Sequence, residues 1–230
     1  VFNFDETQVD WDGDNSPDGS GTEGFLPIGN KTTKFTGSYD GQNHTIGNLY
    51  INRPATNEIG LFGNTDSASF NNLGIINADI TGGGVTGALA GYMYDCSVDN
   101  SYSSGHISGI SSVGGLVGEA SEEVFISKCY SSANVTNTDS GDAYGGLVGN
   151  LFEWSSIYNS YATGSINGFD YVGGLVGMSG GDIYYSYSTG SISGNSSVGG
   201  LIGDNGYFAS VNNSFWDKET SGQASSDGGI

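Results

Sequence analysis

The chain has 230 residues, of which 25 are Asp or Glu and 5 are Lys or Arg, so its formal net charge is -20. A surface this acidic repels nucleic acid and anionic membranes, and neither is an expected partner. With 41 Gly and many Ser, Asn and Thr, the composition is close to that of disordered chains, and only a regular repeat argues for a folded structure.

Residues 1–34 do not repeat, and they carry four closely spaced aspartates. These are Asp10, Asp12, Asp14 and Asp18. Alternate carboxylates in a glycine-containing loop suit Ca²⁺, which prefers oxygen ligands. The match to a calcium loop is partial, because Asn15 stands where a glycine is expected and Gly21 where a bidentate Glu is expected. We therefore expect an acidic segment and cap whose loop either binds Ca²⁺ or is simply solvated.

A five-residue pattern, Gly-Gly-Leu-Val-Gly in its best copies, recurs along the rest of the chain. Its central leucines are Leu61, Leu89, Leu116, Leu147, Leu175 and Leu201. The intervals between them are 28, 27, 31, 28 and 26 residues, too short for a domain and too long for a hairpin. Such a period is typical of a solenoid, whose coils bury their apolar faces by stacking on one another.

A second pattern keeps the same period and predicts strands. In residues 157–166, small or apolar side chains at Ser160, Ala162, Gly164 and Ile166 alternate with Tyr161, Thr163 and Ser165. An alternation of period two is the mark of a β-strand. Copies beginning at residues 46, 70, 98, 126, 157, 183 and 211 predict about seven coils, each with three short strands. The fold class is therefore all-β, a right-handed parallel β-helix (β-solenoid) over residues 35–217, followed by a tail or linker at residues 218–230.

Parallel coils in register bring like residues into columns. We expect the repeat leucines to stack inside, with a second internal stack of Ile107, Val135, Ile166 and Ile192. An asparagine ladder is predicted at Asn48, Asn72, Asn100, Asn159 and Asn213, interrupted by Lys128 and Tyr185. An outward aromatic column is predicted at Tyr50, Tyr102, Tyr130, Tyr161, Tyr187 and Phe215. Its rings either stack on one another or form a binding surface.

Several segments together resemble the GLUG-motif repeat proteins. They are residues 25–29, residues 35–46, the Gly-Gly-Leu-Val-Gly copies and residues 214–222. The resemblance implies a module of a large secreted or surface-attached microbial protein, such as an adhesin-like protein. Some relatives cleave IgA as metallopeptidases, but their HExxH zinc motif is missing here, and His44 and His106 have no matching Glu pattern.

Aromatic residues follow the glycine pattern in three coils. They are Tyr92, Tyr94, Phe152, Trp154, Tyr207 and Phe208. Large apolar side chains in loops mark binding surfaces, and loops of a solenoid gather on one face, so we expect these residues on one side. Sugar rings stack on aromatic faces, which makes a carbohydrate one specific ligand. The alternative is that the rings fold back as lids over their coils.

Catalysis is not expected from this sequence. Parallel β-helices include pectate lyases and polygalacturonases, but fold alone is a weak guide to activity. A uronate lyase needs a cation beside the substrate carboxylate, and here Arg53 and four lysines are scattered along the chain. A hydrolase needs two carboxylates roughly 5–9.5 Å apart, and no recognisable motif holds such a pair.

The sequence thus predicts a non-catalytic extracellular module at the cell surface. Its expected partner is a surface glycan or protein, or a neighbouring copy of itself. A structural stalk or filament subunit is the alternative. No signal peptide or membrane span is recognisable, and the chain opens abruptly at Val1, so we interpret it as a piece of a larger protein without direct membrane insertion.

Overall fold

The computed structural model describes residues 2–3, 23–206 and 209–229. Its strands stack in parallel as a β-solenoid of about 6 turns, which confirms the predicted fold. Among the described residues, helix is limited to the single turn Lys218–Ser221, capped by Asp217 and Gly222.

Three sheets form the sides of the solenoid. The 17-stranded sheet contains Phe2–Asn3, Ser38–Gly47, Tyr50–Arg53, Ser69–Gly82, Ser97–Asp99, Tyr102–Gly109, Phe125–Ser127, Tyr130–Ser131, Asn134–Asn137, Ser156–Tyr158, Tyr161–Ala162, Ile166–Asn167, Asp182–Tyr184, Tyr187–Ser188, Ile192–Ser193, Val211–Asn212 and Phe215–Trp216. The 5-stranded sheet contains Thr86–Gly87, Val113–Gly114, Asp142–Gly145, Asp170–Gly173 and Ser196–Gly199. The 6-stranded sheet contains Phe62–Asp66, Ala90–Tyr94, Val117–Ser121, Val148–Leu151, Val176–Ser179 and Ile202–Asn205.

The coils do not all contain the three strands expected: the coil over residues 62–82 has two, Phe62–Asp66 and Ser69–Gly82, and the later coils have four or five. The coil that begins at Asp142 passes through Asp142–Gly145, Val148–Leu151, Ser156–Tyr158, Tyr161–Ala162 and Ile166–Asn167. The strands are short because residues with positive φ interrupt them. Asn159, at a φ of 48°, separates Tyr158 from Tyr161 in this way. Asparagine tolerates this left-handed conformation better than most residues, which explains why it recurs at this bend.

The core is a set of columns that run along the solenoid axis. Leu89, Leu116, Leu147, Leu175 and Leu201 are each fully buried at the corner between the two smaller sheets. On the opposite side, Ile107, Val135, Ile166 and Ile192 pair in register and are buried. Both predicted stacks are therefore confirmed. Burying one such side chain stabilises the fold by roughly 1.5–3 kcal/mol.

The glycines beside these leucines have a steric reason to recur. A Cβ atom on Gly146 would lie 2.2 Å from the carbonyl oxygen of Gly174 in the next coil. A Cβ on Gly174 would lie 2.2 Å from the carbonyl oxygen of Gly200. Real Cβ contacts are essentially never this short, so a methyl group at Gly146 or Gly174 would force the neighbouring coil to shift. The coil that begins at Thr86 has Ala88 at the equivalent position, so the constraint belongs to the later coils.

Cys96 and Cys129 are both buried free thiols. Burial raises the pKa of the Cys129 thiol to about 12, so it stays protonated at neutral pH. Cys129 fills a position where neighbouring coils place serine, as its sequence context predicts.

The predicted columns hold for most coils. Asn72, Asn100, Lys128, Asn159, Tyr185 and Asn213 all have φ between 48° and 55°. One amide pair is bonded directly, with Asn100 Nδ2 donating to Asn72 Oδ1 at 2.7 Å. The rings of Tyr102, Tyr130, Tyr161 and Tyr187 stack nearly parallel, at centroid distances of 4.8, 4.9 and 4.9 Å. This column therefore stacks on itself.

The first coil departs from the predicted register. Ile46 pairs with Ile75 and Tyr50 with Asp79, whereas Tyr39 occupies the position opposite Phe70. The copy that pairs with Phe70 begins at Tyr39 and not at Ile46, and a register shift follows between Asp40 and His44, so Asn48 and Tyr50 lie outside the predicted columns. The displacement is favourable because Ile46 is then buried over Ile75. The register predicted from residues 46–51 was therefore wrong.

Where the structure describes it, the chain covers the first coil and part of the last coil. At the start, Phe25, Ile28 and Phe35 donate backbone hydrogen bonds to the carbonyls of Tyr50, Leu61 and Asn64. At the end, the Ser226 hydroxyl accepts from the backbone of Leu201 and Ile202 at 3.1 and 2.9 Å. Edge groups of the last coil that would otherwise be open to a further strand are therefore occupied.

Candidate functional site

Two of the predicted site residues lie in a strand rather than a loop. Tyr92 and Tyr94 belong to Ala90–Tyr94 in the 6-stranded sheet, and both point outward on either side of the buried Met93. They pair with Glu119 and Ser121 of the next coil. Lys34 Nζ lies 5.7 Å from the centre of the Tyr94 ring, so a cation from the same chain already covers that ring.

Phe152 and Trp154 lie where expected, in the connection between Val148–Leu151 and Ser156–Tyr158. Their side chains are 42% and 73% exposed, so neither acts as a lid over its coil. Tyr94 pairs with Ser121 in the next coil, and the strand that contains Ser121 pairs in turn with the strand that ends at Leu151, just before Phe152. Two strand spacings of roughly 5 Å each therefore separate Tyr94 from Phe152 along the solenoid axis. Tyr207 and Phe208, like the metal-site aspartates Asp10, Asp12, Asp14 and Asp18, lie outside the described residues.

Trp154 lines a groove of about 550 Å³ beside this connection. Two further aromatic side chains, Phe125 and Tyr158, line it as well, together with Glu153 and Asp182. Phe125 is 52% exposed and Tyr158 is 37% exposed. The groove thus combines three aromatic side chains with two carboxylates.

The register of three coils builds the groove. Phe125 pairs with Ser156, and Ser156 pairs with Asp182, so the lining residues come from neighbouring strands of the 17-stranded sheet. Trp154 and Tyr158 stand two residues on either side of Ser156. Two strand spacings give the groove a length of roughly 10 Å along the solenoid axis.

Hydrogen bonds to both neighbouring coils hold the connection that carries Trp154. Phe152 N donates to Ala120 O at 2.8 Å, and Asp182 N donates to Ser155 O at 3.0 Å. The buried Ser155 hydroxyl accepts from Val124 N at 3.2 Å. The connection is therefore part of the solenoid wall and not a loose loop.

Trp154 has a backbone conformation that is costly for a large side chain. Its φ is 67°, in the left-handed region that bulky residues rarely adopt. Strain of this kind typically costs about 1–3 kcal/mol and concentrates at functional sites. Because the ring is mostly exposed, packing offsets little of that cost.

Hydrogen bonds fix Asp182 in the groove. Its Oδ1 accepts from Ser210 N at 2.9 Å, and its Oδ2 accepts from the Tyr184 hydroxyl at 3.2 Å. Burial and the Asp182 charge together raise the pKa of Tyr184. No Lys or Arg is among the groove's lining residues, so the electrostatic character of the groove is acidic.

Sequence reasoning missed Phe125, Tyr158 and Asp182. Each lies at a strand position where the residue type changes from coil to coil. A search for repeated sequence motifs therefore does not detect it. The available signal was that each is next to the first apolar residue of the second pattern. Phe125 precedes Ile126, Asp182 precedes Ile183, and Tyr158 follows Ile157.

Within the part of the chain that the structure describes, no three His, Cys, Asp or Glu side chains gather as a metal site would require. One of the two histidines, His106, contacts Thr136 Oγ1 through Nε2 at 3.2 Å. Over the same described ranges, no helix has the length and apolar character needed to cross a membrane.

Residues 140–167 match the GLUG motif, so the chain contains this repeat and the resemblance seen in the sequence is confirmed. The matched segment is the coil from Asp142 to Asn167, and it includes Trp154. Halomucin from Haloquadratum walsbyi is 43% identical over 105 residues, which cover 44% of this chain and 1% of halomucin.

Two solved structures share the fold. A candidate immunoglobulin A1 protease from Bacteroides ovatus has a TM-score of 0.63 and 24% identity, over 76% of this chain and 58% of that chain. A structure of IgA1 protease has a TM-score of 0.57 and 23% identity, over 86% of this chain and 16% of that chain. At these identities the likeness concerns the solenoid alone. The chain spans only part of each of these proteins.

Proposed function

We propose that this chain, a solenoid that contains the GLUG repeat, is an extracellular module of a longer cell-surface protein and binds a glycan without catalysis. The similarity to a segment of halomucin supports membership of a longer protein. The family resemblance supports the surface location. The net charge of -20 suits a soluble surface domain, since like charges keep such domains apart.

The observation that carries the binding proposal is the groove beside Trp154. Ligand sites are concave, largely apolar and furnished with a few fixed polar groups. Here Phe125, Trp154 and Tyr158 supply the apolar faces, and Asp182 supplies a fixed acceptor. Glycan rings present one apolar C–H face and a rim of hydroxyl groups, so they match such a lining.

Trp154 is the central contact in this proposal. It offers the largest ring in the groove and the most exposed one. Tryptophan and tyrosine are enriched among residues that dominate binding energy.

A structural stalk or filament subunit remains the second candidate, and one observation favours it. The self-stacked column of Tyr102, Tyr130, Tyr161 and Tyr187 stiffens the solenoid without needing a ligand.

The calcium proposal for Asp10, Asp12, Asp14 and Asp18 stays a prediction, as does an adhesin role. A protein partner or a second copy of the chain would also use exposed aromatic side chains. Binding assays with defined glycans separate these possibilities most directly.

The test is to measure affinity for a panel of neutral and charged oligosaccharides by calorimetry. Trp154→Ala should weaken binding of the best ligand roughly thirtyfold, because truncating a residue of this kind costs about 2 kcal/mol or more. The matched control is Tyr185→Ala, since Tyr185 is 58% exposed, also has positive φ and does not line the groove. Equal losses in both variants, or no binding to any glycan, would reject the proposal.

A further inference from the structure

The charged side chains that line the groove limit which class of glycan it can bind. Both charged side chains in it are carboxylates, Glu153 and Asp182. Within the described residues, Glu153 takes part in none of the salt bridges, which pair other acidic residues with three of the lysines and with Arg53. An anionic sugar, such as a uronate or a sulfated unit, would meet like charge without a compensating cation. The groove therefore disfavours acidic glycans.

The aromatic lining adds a preference for positive charge. The face of an aromatic ring attracts a cation within about 6 Å, and tryptophan does so most strongly. This chain makes the same contact internally, where Lys218 Nζ lies 5.4 Å from the Trp216 ring. Trp154 offers an exposed ring of the same type with a carboxylate, Glu153, as its neighbour in sequence.

One face of Tyr158 is already used within the protein. Its ring stacks on Tyr184 at a centroid distance of 4.7 Å. On the other side its in-register neighbour is Ser127, a small residue that leaves room beside the ring. The Tyr158 ring is thus held in place on one side and faces the groove on the other.

We propose that the groove selects glycans that carry protonated amino groups, of the glucosamine type, over neutral sugars of the same linkage. This inference rests on the proposed glycan-binding function. The sugar rings contact Trp154, Phe125 and Tyr158, while their ammonium groups pair with Glu153 and Asp182. The length of roughly 10 Å across three coils accommodates a short oligosaccharide. The overall charge of -20 attracts such a cation from a distance.

The test uses three β-1,4-linked tetrasaccharides that differ only in the group at carbon 2. Glucosamine units carry an ammonium group, N-acetylglucosamine units carry a neutral amide, and glucose units carry a hydroxyl. Calorimetry at a pH where the amines are protonated should give roughly tenfold tighter binding for the glucosamine oligomer, the typical gain from one charge-assisted hydrogen bond. This advantage should shrink as salt rises from about 0.1 M to about 1 M, because salt screens exposed charges.

Two variants distinguish the groove from general attraction to an acidic protein. Glu153→Gln should remove most of the tenfold preference for the glucosamine oligomer and leave affinity for the glucose oligomer unchanged. Glu122→Gln makes the same change in net charge at an exposed residue outside the groove and should have little effect.

The outcomes also separate this inference from the function on which it rests. If the glucose oligomer binds as tightly as the glucosamine oligomer and Trp154→Ala weakens both, the module binds glycans but does not select for charge. Equal effects of Glu153→Gln and Glu122→Gln would overturn the selection in the same way. If no oligosaccharide binds, both proposals fail.

Discussion

Glu119 shows at the residue scale how the acidic surface costs stability. This residue pairs with Tyr92 and Asn150 in the 6-stranded sheet. Burial, and next the charge of Glu58, raise the pKa of its carboxyl above the usual value. The folded protein therefore binds a proton at Glu119 more readily than the unfolded chain does. Stability from this residue falls as pH rises from the ordinary pKa through the raised one.

Glu119→Gln should consequently raise the melting temperature at pH 7, well above the ordinary pKa of a glutamate, because the unfolded wild-type chain is ionised there and the folded protein resists that ionisation. At about pH 4 or below, both states of the wild type are protonated at Glu119, and the gain should vanish. Thermal unfolding of both proteins across this range measures the difference. Glu122→Gln, which changes an exposed carboxylate, is the control. A gain that is independent of pH, or shared by the control, would contradict the interpretation.

At the scale of the element, the glycine corner decides how closely the coils approach. Gly174→Ala would place a methyl group against the backbone of Gly200 and the hydroxyl of Ser188. Overpacking of this kind costs about 1–3 kcal/mol, which corresponds to several degrees in melting temperature for a chain of this size. Gly180→Ala is the control, because its nearest neighbour, Glu153 N, lies 3.3 Å away.

Circular dichroism melts of the two variants test this argument. Gly174→Ala should melt at a clearly lower temperature than the wild type, and Gly180→Ala should melt close to it. If both alanines are tolerated equally, the repeated glycines do not set the spacing of the coils.

The elements also show what the sequence could predict. The repeat period and the alternation of side chains were enough to predict the parallel coils and both buried columns. Residues equivalent to Leu147 and Ile166 occur at the same position in successive repeats. The register of the first coil was not predictable, since residues 46–51 resemble the repeat while Tyr39 takes the position opposite Phe70. The number of strands per coil was missed because positive φ at residues such as Asn159 divides longer runs.

The groove lay beyond the sequence for a different reason. Trp154 was a candidate from its type and position, but its partners come from the two adjacent coils. Phe125 and Asp182 can be placed beside Trp154 only when the pairing of the three strands is known residue by residue. Tyr92 and Tyr94 were grouped with Trp154 by sequence interval, yet they lie in a strand two coils away.

At the scale of the whole molecule, the solenoid is a support whose first coil, and part of whose last coil, are covered by the chain itself. Residues 23–37 form hydrogen bonds to the first coil, and residues 225–227 form hydrogen bonds to residues 200–202 of the last coil. Such a unit suits a module within a longer protein. Its stability should come from the internal columns of Leu and Ile, and its binding from side chains that the wall holds outward.

The central claim is that the internal columns determine stability while Trp154 serves binding alone. The single variant Trp154→Gly tests both parts. Glycine accepts the φ of 67° at this position without strain, and the lost ring was 73% exposed. We predict an unchanged or higher melting temperature together with a roughly thirtyfold loss of affinity for the best-bound oligosaccharide. A lower melting temperature with affinity retained would show instead that Trp154 serves the fold, and would contradict the account.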